Sequence, residues 1–245
     1  MIDAGALTLR ARMDAGDLSA QALMAETLDR IEQVNSSVNA IVSLRDADAL
    51  MAEARAADKA APAGWLHGIP IAIKDLANAA GLPTSMGSPL FAGTVAPRDD
   101  IVTARLRAAG AIIIGKTNTP EFGLGSHSFN PVFGATRNPY DHSRSAGGSS
   151  GGAGVALACG MLSIADGSDM MGSLRNPAGW NNVYGMRPVG EWCRPSRWGT
   201  LSCTNWRRTG RWRATRAIWL HCLIRWPGLI RVSRMVWFRH QACRA

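Results

Sequence analysis

Two short apolar segments, and what lies between them, limit the fold most. In Gly68–Asp75 (GIPIAIKD), Ile69, Ile71 and Ile73 alternate, which predicts a strand ending at Lys74. Asp99–Ala109 then carries acids in its first turn, suiting the positive end of a helix. Gly110 stops it, and Ala111–Ile114 (AIII) predicts a short strand buried on both faces. Helix, glycine and apolar strand in that order predict a layered α/β sheet. Upstream, residues 17–34 place Leu23, Leu28 and Ile31 at helical spacing behind Asp17 or Ser19 as N-cap, and Arg45–Ala60 predicts a second helix. Downstream, Ala153–Ala158 predicts helix, Met161–Ala165 strand, and Ser173–Asn181 the start of another helix. Gly81–Thr94 and Asn130–Gly152 are rich in turn residues and predict loops.

The 245 residues, 47% hydrophobic and 18% charged, describe a globular chain rather than a disordered one. Met1–Gly16 has no continuous apolar run and contains Asp3 and Asp14, so no signal peptide is expected and a cytoplasmic location follows as the default. No stretch has the roughly 18 apolar residues of a membrane span. The net charge of +9 would suggest nucleic acid, but its distribution argues otherwise. Gly190–Ala245 holds twelve arginines, no lysine and one acid, Glu191, so residues 1–189 are slightly acidic. Seven of nine tryptophans and four of five cysteines also lie in that tail, with Cys159 the exception. After Pro188 neither periodicity nor turn logic persists.

Three segments carry chemistry: the lysine strand just named, SAGGSSGGAGVALACG at 145–160, and DGSDMMGSLRNPAGWNN at 166–182. A serine acting as a nucleophile needs a group to take and return its proton, and donors for the charge that develops on its target. A free serine hydroxyl is a poor nucleophile without a base within hydrogen-bond reach. A lysine serves as that base only when neutral, and a free lysine titrates near ~10.4, so burial at a strand end must lower it. Asp75 would oppose that shift if it faced Lys74, so it is expected to face elsewhere. No Cys/His cluster has metal-ligand spacing, so no metal or other cofactor is expected. His127 and His142 are expected to be loop residues rather than general bases.

Together these segments resemble the amidase signature family over about residues 20–188. The matching strings are G-[IV]-P-x-x-[IV]-K-D, G-G-S-S-G-G and G-[ST]-D-x-x-G-S-[IL]-R, with 75 residues from Lys74 to Ser149 and 24 from Ser149 to Ser173. The resemblance implies a mixed β-sheet flanked by helices on both faces, here with its C-terminal half missing, since members are nearly twice this length. It implies Ser173 as nucleophile, Ser149 (after a cis peptide bond) as relay, and Lys74 as base. It further implies an oxyanion hole from the backbone N–H groups of Met170, Met171, Gly172 and Ser173. Asp169 and Arg175 would support the nucleophile turn, and Ser150 would hydrogen-bond beside the relay. One departure concerns the two glycines that usually precede the nucleophile: Met171 replaces the first. That places the chain closer to hydrolases of small molecules and of cyclic or linear oligoamides than to the glutamine-hydrolysing amidotransferase subunit.

The family continues after R-P with G-R-V-P-like and G-P-M-A-R strings, which this chain lacks. In the neighbouring codon frame, Gly190–Arg194 permits G-R-V-V-P and Trp206–Trp219 permits L-A-P-D-G-P-M-A-R-D-T-R-D-L. Residues 1–188 are therefore read as the N-terminal part of an amidase domain with all three motifs, and 189–245 as an out-of-frame tail. The expected function is hydrolysis of a small-molecule carboxamide or oligoamide through a serine acyl-enzyme, with no nucleic-acid or membrane partner and a homodimer left open. The alternatives are a non-catalytic remnant, a nucleic-acid binder acting through the basic tail, and the glutamine-hydrolysing amidotransferase subunit.

Overall fold

A computed structural model describes residues 5–187 and the backbone of a strand at 222–224. Helix α1 (Ala6–Asp14), which no sequence pattern announces, buries Ala6 and Leu9. Helix α2 (Ala20–Val38) begins at Ser19, whose Oγ accepts from Ala22 N, which decides between the two expected caps. Its first N–H groups also find Asp58 across the next helix, from Ala20 N at 2.6 Å and Gln21 N at 3.0 Å. Asn39, in the left-handed region, ends it. Asn35 then accepts from Ala40 and Ile41, turning the chain into β1 (Ile41–Val42). Helix α3 (Ala47–Lys59) is capped by Asp46.

Strand β2 (Pro70–Lys74), helix α4 (Ile101–Ala108) and strand β3 (Ile112–Thr117) form a parallel crossover, and β1 pairs antiparallel on the far edge of β3. The acids expected at the start of α4 stand just before it, with Asp100 as the N-cap residue; their carboxylates tie in the preceding loop, Asp100 accepting from Asn78 N and Asp99 from Ala80 N. The sheet is covered on both faces. Ala72, Ile112 and Ile114 pack with α2, α3 and α5 (Gly151–Ala158), while Ile71, Ile73 and Ile113 pack with α1 and Leu106 of α4.

The register of β2 on β3 contains one bulge: Ile71 pairs with Ile113, but Ala72 with Gly115. Without it Lys74 would stand beside Lys116 on one face, since side chains alternate with period two. With it Lys116 pairs with Ile73 and Lys74 with Thr117. The two buried lysines therefore leave the sheet in opposite directions.

The expected loop 130–152 contains a hairpin of β4 (Phe129–Asn130) and β5 (Gly134–Ala135). The helix expected from Ala153 starts earlier, at Gly151. Strand β6 (Ile164–Asp166) lies later than the expected Met161–Ala165 and packs beside β2. Helix α6 (Arg175–Trp180) and strand β7 (Tyr184–Gly185) follow, and β8 (Cys222–Ile224) pairs antiparallel with both β6 and β7. The two tail strings read in another codon frame lie outside the described residues. Among the described residues no helix is long and apolar enough to cross a membrane.

Candidate active site

The site forms where β2 ends and α5 begins. Lys74 is the last residue of β2 and is 1% exposed. Its Nζ lies 2.7 Å from Ser149 Oγ, 2.9 Å from Ser150 Oγ and 3.0 Å from Ser168 Oγ. Ser149 and Ser150 are equally buried, and the Gly148–Ser149 peptide is cis. The closeness depends on α5 lying against the backbone that leaves β3. A Cβ on Gly152 would sit 2.3 Å from Asn118 N and 2.5 Å from Ala40 O, so only glycine lets the helix approach that far.

Ser150, expected beside the relay, touches Lys74 directly. Its hydroxyl also accepts from Ser168 N at 3.2 Å, and its N–H donates to Ser173 O at 3.1 Å. That last bond ties the 173 turn to the start of α5. Ser168 was not foreseen as a partner of Lys74. The hydroxyl position of the G-[ST]-D string was the available signal, since a side chain there sits four residues after the strand residue Ile164 and faces the lysine.

The turn carrying Ser173, itself half-buried, is organised by Asp169. This carboxylate accepts from Gly172 N (2.7 Å), Leu174 N (3.2 Å) and Arg175 Nε (2.9 Å), with Arg187 at 3.6 Å. Burial alone would raise its pKa. The hydrogen bonds from Arg175, Gly172 and Leu174 outweigh that and hold it down at about 2. Asp169 and Arg175 are bound to each other in this turn. Gly172, at a φ of +115° that side-chain-bearing residues rarely adopt, donates its N–H to Asp169. Met170 and Met171 project outward, Met171 at 84% exposure.

Beneath the lysine lies a second charged cluster. Asp75 faces away from Lys74, as expected, accepting from Ser85 Oγ at 2.6 Å and standing 3.7 Å from Lys116 Nζ. Lys116 also donates to Thr84 Oγ1 and to Ala77 O. Burial lowers the lysine's pKa and raises the carboxyl's, each against the pull of the other. On β6, Asp166 accepts the backbone N–H of Lys74 at 2.6 Å. Burial pushes its pKa up to about 6, opposed by the Lys74 N–H and by the charges of Lys116 and Lys74. His127 and His142 are loop residues; His127 bonds Ser145 Oγ at 2.7 Å.

A buried lysine is thus bonded to a serine that follows a cis peptide, and beside them a carboxylate organises the turn that carries a second serine. The Amidase family model matches residues 22–209, and the chain belongs to that family. A glutamyl-tRNA(Gln) amidotransferase subunit from Aromatoleum aromaticum is 44% identical over 77% of this chain and 39% of its own length. Among solved structures, a 6-aminohexanoate cyclic dimer hydrolase matches with a TM-score of 0.71 at 32% identity, over 78% of this chain and 39% of its own. The peptide amidase of Stenotrophomonas maltophilia matches with a TM-score of 0.69 at 36% identity, over 76% and 40%. The chain spans about two fifths of the length of the relatives it matches.

Proposed function

We propose that this chain carries the reacting centre of an amidase that hydrolyses a small carboxamide or oligoamide. The observation that supports it most is Lys74 Nζ at 2.7 Å from Ser149 Oγ, both buried, in a family of amidases. In the proposed cycle Ser173 Oγ attacks the carbonyl carbon. Its proton passes to Ser149 Oγ, while the Ser149 proton moves to neutral Lys74. Backbone N–H groups of Met170, Met171 and Ser173 stabilise the oxyanion. Collapse expels the amine, which takes the proton back through Ser149, and water then releases the acid from Ser173 by the same relay.

The test is labelling of the purified chain with a fluorophosphonate, together with turnover of simple aromatic and aliphatic amides. Both are expected in the wild type and lost in Ser173→Ala. A wild type that neither labels nor turns over sinks the reading in favour of a non-catalytic remnant.

The second reading, a glutamine-hydrolysing amidotransferase component, is favoured by the 44% identity to a relative of that name. Against it stands Met171, a bulky exposed side chain where that component keeps glycine. Release of ammonia from glutamine, in preference to simple amides, would decide for it. For the tail, the arginine and tryptophan excess supports an out-of-frame origin, whereas a family match running to residue 209 counts against a boundary as early as 188. Resequencing the gene decides the point. The solubility of the chain and its cytoplasmic location belong to the same proposal, as does a homodimer.

A further inference from the structure

A second buried lysine lies behind the site and takes no part in the proposed cycle. Lys116 is fully buried and leaves β3 on the face of the sheet opposite to Lys74. It donates to Ala77 O and, at 3.0 Å, to Thr84 Oγ1, and it stands 3.7 Å from Asp75 Oδ1. Two of these partners lie in the turn that follows Lys74, and the third begins the loop at 84–87. We propose that Lys116 is a positioning residue, which clamps the turn at 75–77 and so fixes the backbone from which Lys74 reaches the serines.

The clamp acts on the turn directly. Lys74 O accepts from Leu76 N at 2.7 Å and from Ala77 N at 3.0 Å, so the chain folds back on the carbonyl of Lys74 itself. Asp75 N donates to Thr117 O at 3.0 Å, which secures the entry of the turn to β3. Its exit is the carbonyl of buried Ala77, and Lys116 supplies the donor for it from the same strand. The neighbouring loop is drawn into the same unit. Asp75 accepts from Ser85 Oγ at 2.6 Å, Ser85 N at 3.3 Å and Gly87 N at 3.4 Å. Between them Met86 O accepts from Phe122 N at 2.7 Å. Gly123 then closes over the middle of the turn, where a Cβ would lie 2.6 Å from Leu76 Cδ1. An apolar side chain as large as lysine could fill the space of Lys116, and replacing a buried ion pair in that way is often neutral for stability. It could not donate to Ala77 O or to Thr84 Oγ1.

The inference rests on Lys74 being the base of the proposed reaction, but its first test needs no turnover. Hydrogen exchange of the Leu76 and Ala77 amides, which bond Lys74 O, reports on the turn, while urea unfolding reports on the whole chain. Asp75→Asn removes the ion pair and leaves Lys116 its two donated bonds. Lys116→Met added to Asp75→Asn removes those bonds without stranding a buried charge. Relative to Asp75→Asn, the double variant should lose about tenfold protection at both amides beyond any change in global stability, as expected for one hydrogen bond from a charged group. Unchanged protection overturns the inference. Should the double variant fail to fold, Asp75→Asn alone still decides. It should keep the wild-type protection of both amides, and a loss there assigns the hold to the carboxylate instead and is equally fatal. Fluorophosphonate labelling separates this idea from the proposed function. A wild type that does not label defeats the proposed function and leaves the clamp to be judged by exchange. Where the wild type labels, the double variant should label at least about tenfold more slowly than Asp75→Asn. Equal rates in the two variants overturn the positioning role.

Discussion

Asp166 makes a prediction about stability that can be worked through in full. The carboxyl has an ordinary value of 3.8, and in the folded chain burial raises it to about 6. At about 1.36 kcal/mol per pKa unit, the difference corresponds to about 3 kcal/mol. The sign follows from proton counting. Below pH 3.8 the group is protonated folded and unfolded, so it costs nothing. As pH rises from there to about 6, the unfolded chain releases its proton while the folded one keeps it, and stability falls. Above that the full penalty is present. Asp166→Asn keeps the acceptor for the Lys74 N–H and removes the titration. In urea denaturation, the wild type's stability relative to this variant should therefore drop by about 3 kcal/mol between about pH 3.5 and about pH 7. Groups that do not face Asp166 cancel in the difference. A difference that stays flat across that interval, or grows with pH, refutes the reasoning, because the buried carboxyl would then not be resisting ionisation.

Asp169 should behave in the opposite sense. Its folded value of about 2 lies below the ordinary 3.8, so its contribution is present above the latter and is lost as pH falls through about 2. Asp169→Ala, which strips acceptors from Gly172, Leu174 and Arg175 together, should cost about 2–4 kcal/mol in denaturant unfolding and abolish fluorophosphonate labelling. Gly152→Ala, whose Cβ would collide with backbone at Asn118 and Ala40, should cost more than about 3 kcal/mol or prevent folding, as thermal unfolding would show. Gly179→Ala is the control: a Cβ there meets nothing within 4 Å inside α6, so the variant should be stabilised by about 0.5–1 kcal/mol.

The parts legible in the sequence were those set by local pattern. Ile69, Ile71 and Ile73 alternate because β2 is a strand, and Ser19 caps α2 because its short side-chain oxygen reaches the N–H three residues on. Helix α1 escaped notice because Ala6–Asp14 has almost no amphipathic contrast, and its burial depends on a partner far along the chain. Lys74 and Ser149, 75 residues apart in the chain, are hydrogen-bonded in the fold.

What local pattern could not supply was direction in space. A single bulge between Ile71 and Ala72 sends Lys74 toward the serines and Lys116 toward Asp75. Strand alternation alone does not give these directions, because without the bulge the two lysines would pair side by side. Ser168 and Asp166 join the lysine only because β6 is laid beside β2, 92 residues away along the chain from Lys74 to Asp166. The sequence by itself determined which chemical groups exist and which segments carry a strong local strand or helix pattern. Only tertiary structure decided which buried charges face one another, because that depends on register and strand order, and those are fixed by packing across both faces of the sheet rather than by any run of neighbouring residues.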